Sequence, residues 1–372
     1  MVFTYMPNSM WGGAETAWAD ASVITTAEGF AAMDANGSYE LGKDITITTP
    51  YSSAFSGTFD GKGHTVTLAI SSAEDGSRLA LFSKLASTAT VKNLQIEGSV
   101  TYSGTDRKNA YVGSIAAECE GTVTNCKNNA EISGYSYIGG IAGVLTGGQI
   151  VSCANKGDVK GINGESRYIG GIAGQACGEI RDCYNQGAIT SERGSRVHLG
   201  GISGSLESGN YSVQNCYNSG SIAVKSNSAA IVGWHTGKEV LNCYFVETDG
   251  LAGTNGSGKS ETSSKTLAEM KSADFVTLLG SAFRYKAGDF PALSWETPTA
   301  SVQFNITPED AVLTINGATY TGSCNVALPA GTHDYMVSLD GYTTQSGTVT
   351  VTENEGVLTA DQTRVGITLP KD

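Results

Sequence analysis

The chain has 372 residues with a formal net charge of −13, and 48 of its residues are glycine. We expect no nucleic-acid partner, because binding to phosphates needs clustered Lys and Arg and the sequence contains no basic run. We also expect no membrane-spanning segment, since no stretch is long and apolar enough to cross a bilayer. The glycines follow a repeat, which predicts a turn-rich β protein of up to two domains.

The first nineteen residues resemble the end of a secretion signal. The stretch MVFTYMP is apolar, and Ala17-Trp18-Ala19 before Asp20 fits the small-x-small cleavage rule, although a positively charged start is missing. The alternative is an ordinary N-terminal strand or cap of the first domain. The signal interpretation predicts an exported protein, extracellular or at the cell surface, that is compatible with being part of a longer surface protein.

A short helix is predicted at 23–33, with Thr26 as its N-cap and Glu28 in its first turn. We expect this helix to cover the open end of the fold that follows. Short β-branched strands separated by Gly, Asn and Asp turns continue to about residue 98. Asn93 and Asn128 are predicted to be turn positions with left-handed geometry.

Two phrases then alternate along the chain. The sequence Tyr-Ile-Gly-Gly-Ile-Ala-Gly occupies 137–143 and 168–174. Less similar copies begin at Tyr111 and His198, and a degenerate copy lies at 229–233. A phrase centred on a cysteine follows each copy. A fixed order at a period of about 30 residues indicates a repeat architecture, in which units stack because none can bury its apolar side alone.

Stacking predicts three inward columns and a fourth, aligned column of asparagines at a sharp turn. Aligned cysteines are expected to be buried thiols and not disulfides, because equivalent positions of successive turns lie one strand spacing apart and a thiol packs as a small hydrophobe. No CxxC pair is present, so we expect no zinc. Cys119, Cys177 and Cys324 lie off the column and have no predicted partner. The columns are Ile141, Ile172 and Ile202; Val123, Ile150, Ile180, Val213 and Val240; Cys126, Cys153, Cys183, Cys216 and Cys243; and the asparagines Asn128, Asn155, Asn185 and Asn218, whose amides are expected to hydrogen-bond along the axis.

The composition changes after the repeats. Residues 250–264 are predicted to be a flexible Gly/Ser linker. Residues 253–260 formally match the phosphate-binding pattern G-x-x-x-x-G-K-S, but no enclosing sheet is predicted, so we favour the linker. A helical pattern covers 265–279, and 297–299 (TPT) is the expected domain linker. From residue 300, alternating strands predict a small antiparallel β-sandwich.

Two families are similar to these patterns. The succession FSGTFDGKGHTV, LFSKL and VKNLQIEGSV, followed by the GG-I-A-G units, resembles the GLUG-motif β-helix proteins of Gram-positive gut bacteria over roughly 22–295. That resemblance implies a right-handed parallel β-helix whose C-terminal end is plugged by 265–295, and implies no particular enzyme. The phrases TPEDAV, ING, LPAGTH and DGY resemble PEGA domains, which implies a surface spacer or a carbohydrate-side accessory.

The predicted architecture is therefore all-β. A signal remnant (1–19) precedes a parallel β-helix (20–297, with a cap at 265–295), and a PEGA-like β-sandwich (298–372) follows. Parallel β-helices also include polysaccharide lyases and glycosidases, and the latter need two facing carboxylates. Glu131 and Asp158 align, but the next turns place Ala188 and Ser221 there, so catalysis is not favoured.

The best candidate site is a column of aromatic residues at the position just before the glycine pair: Tyr111, Tyr137, Tyr168 and His198. If they face outward, they form a strip that could stack on sugars or peptide. Tyr184, Tyr217 and Tyr244 form a second row. The alternative is that the stacked rings only stabilise neighbouring turns. We expect a non-enzymatic adhesin-like protein that binds a glycan or a surface protein and uses no cofactor or metal. The rival hypotheses are a polysaccharide-active enzyme and a purely structural spacer.

Overall fold

The computed structural model describes residues 21–104, 110–162, 167–192, 197–207, 212–224, 227–296, 300–316, 318–354 and 357–371. The predicted signal remnant and the predicted linker at 297–299 lie outside the described residues, as do parts of the polar insertions between the repeat phrases.

Residues 22–265 form a parallel β-solenoid of about six turns with three long sheets. We call the eighteen-stranded, six-stranded and eight-stranded sheets A, B and C. Sheet A comprises Ser22–Ile24, Ser38–Leu41, Ile45–Ile47, Thr58–Asp60, Thr65–Ser72, Thr90–Tyr102, Thr122–Asn128, Glu131–Gly134, Gln149–Val151, Ala154–Asn155, Val159–Gly161, Glu179–Arg181, Tyr184–Asn185, Ile189–Ser191, Ser212–Gln214, Tyr217–Asn218, Glu239–Val246 and Ser260–Lys265. Sheet B comprises Arg78–Leu79, Tyr111–Val112, Tyr137–Gly139, Tyr168–Gly170, His198–Gly200 and Asn227–Ala229. Sheet C comprises Tyr51–Phe55, Phe82–Leu85, Ala116–Cys119, Ala142–Leu145, Ala173–Ala176, Ser203–Leu206, Val232–Thr236 and Thr254–Ser257.

The strand register aligns equivalent positions of the repeat. Ile138 pairs with Ile169, which pairs in turn with Leu199. The two predicted aliphatic columns are completely buried and belong to one continuous core. The predicted parallel β-solenoid fold is therefore confirmed, and its right-handed sense stays a prediction.

The cysteine and asparagine columns are arranged as predicted. The five column cysteines and Cys119 are buried and form no disulfide, while Cys177 and Cys324 are half-buried. Burial raises the pKa of Cys119 to about 12 and that of Cys153 well above its usual value. The asparagine amides form a chain, in which Asn128 donates to Asn155, Asn155 to Asn185 and Asn185 to Asn218, each at 2.7 Å.

Residues with a left-handed backbone conformation bend sheet A at each turn. Asn93 has a φ of 53°, as expected, but Asn128 is absent from the positive-φ residues, so that prediction is wrong. Asn128 lies in a strand because its amide is needed inside the asparagine chain. The left-handed position comes instead directly before each column cysteine, with φ between 50° and 55°, at Asn125, Ser152, Asp182, Asn215 and Asn242.

A short helix, Ala27–Ala31, fills the N-terminal end of the core. The Thr26 hydroxyl accepts a hydrogen bond from Gly29 N at 3.0 Å, which confirms the predicted cap. Phe30 is 1 % exposed, and its ring packs against those of Tyr51, Phe59 and Phe82. The helix is shorter than predicted, because Ser22–Ile24 pairs with Ser38–Leu41 as a strand.

The predicted flexible linker at 250–264 is wrong. Thr254–Ser257 pairs with sheet C, and Ser260–Lys265 pairs with sheet A, so this segment forms the last rung of the solenoid. The formal phosphate-binding pattern is part of these strands, and Lys259 pairs with Glu261 at 3.0 Å. A strand begins at Ser260 where a phosphate site would need a helix N-terminus, so this segment does not form such a site.

The segment 267–296, which we call the strap, contains two short helices and a small hairpin. The helices are Leu267–Met270 and Ala273–Leu279, and Phe283–Arg284 pairs antiparallel with Ala292–Leu293. The strap lies along the side of the solenoid and not over its last rung as the resemblance implied. Its Trp295 Nε1 donates to Ser152 O at 2.7 Å, and its Leu278 O accepts from Asn242.

The C-terminal domain contains two small sheets that share one core, which includes Phe304, Leu313, Val337 and Val365. The first and last strands of the three-stranded sheet pair in parallel, so the sandwich is not wholly antiparallel as predicted. The last strand of the domain lies next to the first strand and runs in the same direction. The three-stranded sheet comprises Ala300–Thr307, Cys324–Leu328 and Arg364–Thr368, and the five-stranded sheet comprises Val312–Ile315, Ala318–Thr321, Gly331–Ser338, Gln345–Asn354 and Val357–Ala360.

Candidate functional site: an aromatic column in a corner groove

The structure brings the four predicted aromatic residues together in one column on sheet B. Tyr111 pairs with Tyr137, Tyr137 with Tyr168, and Tyr168 with His198. The successive ring centroids are 5.2, 5.4 and 5.3 Å apart. All four side chains are half-buried. Their outward orientation follows from strand alternation, because the adjacent Ile138 points into the core.

The column lines a re-entrant corner between sheets B and C. A Cβ on Gly139 would lie 1.9 Å from Ala142 O and 2.8 Å from Gly174 N, which are atoms of sheet C. A Cβ on Gly143 would in turn lie 3.1 Å from the carbonyl carbon of Tyr111 in sheet B. The two sheets therefore approach each other through glycines, and their outer faces enclose what we call the corner groove. Gly139 is required for this approach, since it has no left-handed φ that would otherwise explain a glycine. A Cβ on Gly140 would instead meet Gly171 O and the side chain of Asn155.

Sheet C supplies the second wall of the corner groove. Its outward positions are Lys84, Glu118, Val144, Gln175 and Ser205, which are aligned by the strand register. Val144 is 4 % exposed although it does not belong to the solenoid core. The opposite wall therefore covers it.

Two contacts join the walls. At the N-terminal end of the corner groove, Arg78 Nε in sheet B lies 3.1 Å from a Glu118 oxygen in sheet C, and Lys84 Nζ lies 2.9 Å from the other. At the far end, the rings of His198 and Trp234 are 5.7 Å apart. The Arg78 guanidinium also lies over the Tyr111 ring, 5.3 Å from its centroid. The aromatic column is thus longer than predicted.

Trp234 is the binding candidate that the sequence interpretation missed. It is 40 % exposed and stands on sheet C, across the corner from the tyrosines. The signal was present, because Trp234 directly follows the degenerate AAIVG phrase. The sequence comparison aligned only the position just before the glycine pair in successive repeats. Trp234 occupies a different position of the repeat and was therefore missed.

Burial and nearby charges adjust the acid–base properties of the column. Burial raises the pKa of Tyr168, and the Glu207 carboxylate adds to the increase. Burial lowers the pKa of His198, while the Gly233 carbonyl and Glu207 oppose the decrease. Both shifts favour the neutral forms of these two rings. His198 Nδ1 and Ser205 Oγ are buried without a hydrogen-bond partner among the described residues.

The second aromatic row is not a binding surface. Tyr184 and Tyr217 are at most 1 % exposed, because Phe275, Leu279, Phe283 and other strap residues cover them. The Tyr184 hydroxyl donates to the Glu296 carboxylate, whose oxygens lie 2.9 and 3.1 Å away. Lys127 Nζ lies 3.1 Å from the same carboxylate. These tyrosines hold the strap on the solenoid, and Tyr244 joins them half-buried.

Neither Asp158 nor Glu118 is placed as a general acid of the glycosidase type. Asp158 accepts a hydrogen bond from Ala188 N at 2.9 Å, so it supports the turn of the next rung. Burial by itself would raise the pKa of Glu118, but Lys84 and Arg78 outweigh it and hold the pKa below its usual value. A general acid needs the opposite shift. Within the described ranges, no cluster of three His, Cys, Asp or Glu side chains is placed to hold a metal, and no helix is long and apolar enough to cross a membrane.

Comparison with known proteins assigns the C-terminal part of the chain. Residues 300–363 match the PEGA domain family. The C-terminal domain is a PEGA domain. A 93-residue stretch, which is 25 % of the chain, is 30 % identical to halomucin of Haloquadratum walsbyi, and it corresponds to 1 % of that protein's length.

The chain is similar to a crystal structure described as that of "a putative immunoglobulin A1 protease" from Bacteroides ovatus. The TM-score is 0.56 at 20 % identity, and the match covers 74 % of this chain and 93 % of the other. At this identity the likeness shows the fold alone. The protein is therefore a β-solenoid with a C-terminal PEGA domain.

Proposed function

We propose that this protein is a non-enzymatic, exported binding protein, whose solenoid presents the corner groove to a glycan or a surface protein as an adhesin does. The observation that carries the proposal is the continuous aromatic column that ends at the exposed Trp234. Aromatic side chains dominate many binding surfaces, because they contribute a large contact area at a low entropic cost. The signal-like N-terminal stretch and the acidic composition support export.

A rigid, repeated scaffold suits binding better than catalysis here. The groove walls are fixed by backbone pairing on both sides of each rung, and Glu118 in one wall is paired with Arg78 and Lys84. The Bacteroides ovatus neighbour is described as a protease, and likeness of fold alone does not carry that activity to this chain.

The test is binding of the full chain to a glycan array and to a panel of host surface proteins. We expect binding that is lost when Tyr137→Ala is combined with Tyr168→Ala. Met336→Ala is the matched control, because it removes a 45 % exposed apolar side chain from the PEGA domain. Circular dichroism should show the same β content for both variants.

Assays for turnover separate the rival functions. Release of reducing sugar or of unsaturated products from polysaccharides, or cleavage of immunoglobulin A1, would overturn the binding proposal in favour of an enzyme. No binding on either panel would favour a structural spacer. Surface proteolysis and fractionation of the producing cells test export, and a protein retained in the cytoplasm contradicts it.

A further inference from the structure

We propose that the corner groove binds a linear, uncharged polysaccharide that lies along the solenoid axis, with one sugar ring per rung. This inference rests on the proposed binding function and names the ligand class for the same site. It is argued from the period of the column, from the chemistry of the groove and from the pairing of its strands.

The period of the aromatic column selects a repeating ligand. Successive rings from Tyr111 to Trp234 are separated by 5.2 to 5.7 Å. An extended β-linked sugar chain advances by a similar distance per ring and turns each ring over relative to the one before it, so each rung meets one ring and every second rung meets the same ring edge. An extended peptide advances by about 3.3 Å per residue and alternates its side chains between two faces, so it falls out of step with the rungs.

The chemistry of the corner groove matches a sugar chain. The Tyr111 hydroxyl and the Gln175 amide offer uncharged hydrogen-bond donors and acceptors along the groove. The hydroxyls of Tyr137 and Tyr168 bond to Arg167 and Glu207 and extend the polar surface there. The rings of Tyr168 and His198 stack on each other with an interplanar angle of 19°, so they present edges to a ligand and not faces. Trp234 is exposed, so its indole is where a sugar ring can stack on a free aromatic face.

The charges of the groove argue against an acidic polymer. The cations Arg78 and Lys84 at its N-terminal end are already paired with Glu118, and Lys84 also lies 2.8 Å from Glu120. Arg167 lies beside Tyr137, and the Glu207 carboxylate near the same tyrosines has the opposite charge, so the middle of the groove carries no net positive charge. A polyanion would need cations that are not neutralised in this way. The chain as a whole carries a net charge of −13, which repels such a ligand further.

The strand pairing argues against an added peptide strand. Peptides that extend a sheet need an unpaired edge. The groove walls at Tyr137–Gly139 and Ala142–Leu145 consist of strands with a parallel neighbour on each side. A peptide in the groove could use only its side chains, whereas sugar hydroxyls need no strand edge.

The test measures how the affinity of the full chain depends on ligand length. The probes are di- to octasaccharides of the cellulose, xylan, mannan and chitin types, with a library of extended peptides as the other class. For the sugar type that binds, we expect the affinity to rise with each ring up to about five rings and then to level off, since five rungs carry an aromatic ring. A disaccharide that binds as tightly as an octasaccharide overturns the inference, because it indicates a site for a single unit.

Three variants localise the effect. Trp234→Ala should weaken binding of the longest bound oligosaccharide by about tenfold, the equivalent of about 1.4 kcal/mol. Tyr137→Phe combined with Tyr168→Phe keeps the stacked rings but removes two hydroxyls, and should also weaken binding, while Met336→Ala should not. Full affinity in both groove variants would overturn the inference.

A deletion of one rung gives an independent test. Removing 153–182 joins equivalent positions and takes out Tyr168, so the length at which affinity levels off should fall by one sugar ring. An unchanged plateau contradicts the inference. Binding of peptides or proteins alone overturns this inference and leaves the proposed function standing, whereas no binding to either class overturns both.

Discussion

His198 combines two opposing influences at one residue. Burial lowers its pKa, while the carbonyl of Gly233 and the charge of Glu207 raise it. Its unfolded value is about 6.5. Because the folded pKa is lower, the unfolded chain takes up the proton first as pH falls. The stability that neutral His198 supports is therefore complete above about pH 6.5 and is lost as pH falls towards the folded pKa.

We predict that the His198 imidazole titrates below the ordinary histidine range. Glu207→Gln should lower the midpoint further, because it removes a charge that favours the protonated ring. NMR titration of the imidazole resonances, assigned with a His198→Asn variant, measures both values. A His198 midpoint above that of a model peptide would contradict the assigned balance.

The asparagine chain predicts a large cost for one buried amide. Asn155 accepts from Asn128 and donates to Asn185 Oδ1 and to Gly157 O at 2.8 Å. Asn155→Ala leaves buried groups unsatisfied and should destabilise the protein by about 2–4 kcal/mol in urea unfolding. Asn129→Ala is the control, because this exposed asparagine should change stability by less than about 0.5 kcal/mol. Equal losses of unfolding free energy in the two variants would show that the asparagine chain does not stabilise the protein more than an exposed asparagine does.

At the scale of elements, the strap and the solenoid are held together by a separate apolar cluster. Phe275 packs against Tyr217 and Tyr244, with ring centroids 6.0 and 5.3 Å apart. The cluster is distinct from the solenoid core. Loss of strap packing should therefore release the strap before the solenoid unfolds.

Phe275→Ala should cost about 3–5 kcal/mol of strap docking. We expect limited proteolysis of this variant to cut within 267–296 while a fragment that contains 22–265 persists. Leu278→Ala is the matched control in the same helix, because Leu278 is 46 % exposed. Loss of the whole solenoid at the same rate as the strap would contradict the separation of the two clusters.

At the scale of the whole molecule, each rung contacts mainly its two neighbours. Stability is then close to a sum of rung terms and neighbour terms. Removal of one complete rung keeps the contact types between neighbouring rungs, although the strap, which contacts Lys127, Ser152 and Tyr184, must adjust over a shorter span. A deletion of 153–182 would join Ser152 to Cys183 in place of Asp182. This junction fits the backbone, because Ser152 and Asp182 have the same left-handed geometry, with φ of 51° and 55°.

We predict that a chain that lacks 153–182 folds with the same kind of circular dichroism spectrum and cooperative melting. Asn128 would then donate to Asn185. A deletion of 153–167, about half a rung, is the control, and it should fail to fold because inward positions would meet outward ones. Failure of both deletions would show that the rungs are not interchangeable.

The sequence by itself determined the repeat and what lies inside it. The columns that contain Ile141, Cys153 and Asn155 were predicted correctly, because residues at equal repeat positions must share one environment when identical units stack. The first helix cap at Thr26 was also predicted, since capping depends on a few neighbouring residues.

Only the tertiary structure decided what the outer faces meet. Tyr137 and Tyr184 looked alike in the sequence, yet one is half-buried in the corner groove and the other lies under the strap. Trp234 joined the first column from a different strand. The physical reason is that repeat spacing fixes which residues align along the axis, whereas the angle between sheets and the return of a distant segment depend on contacts around the solenoid, between residues that share no repeat position.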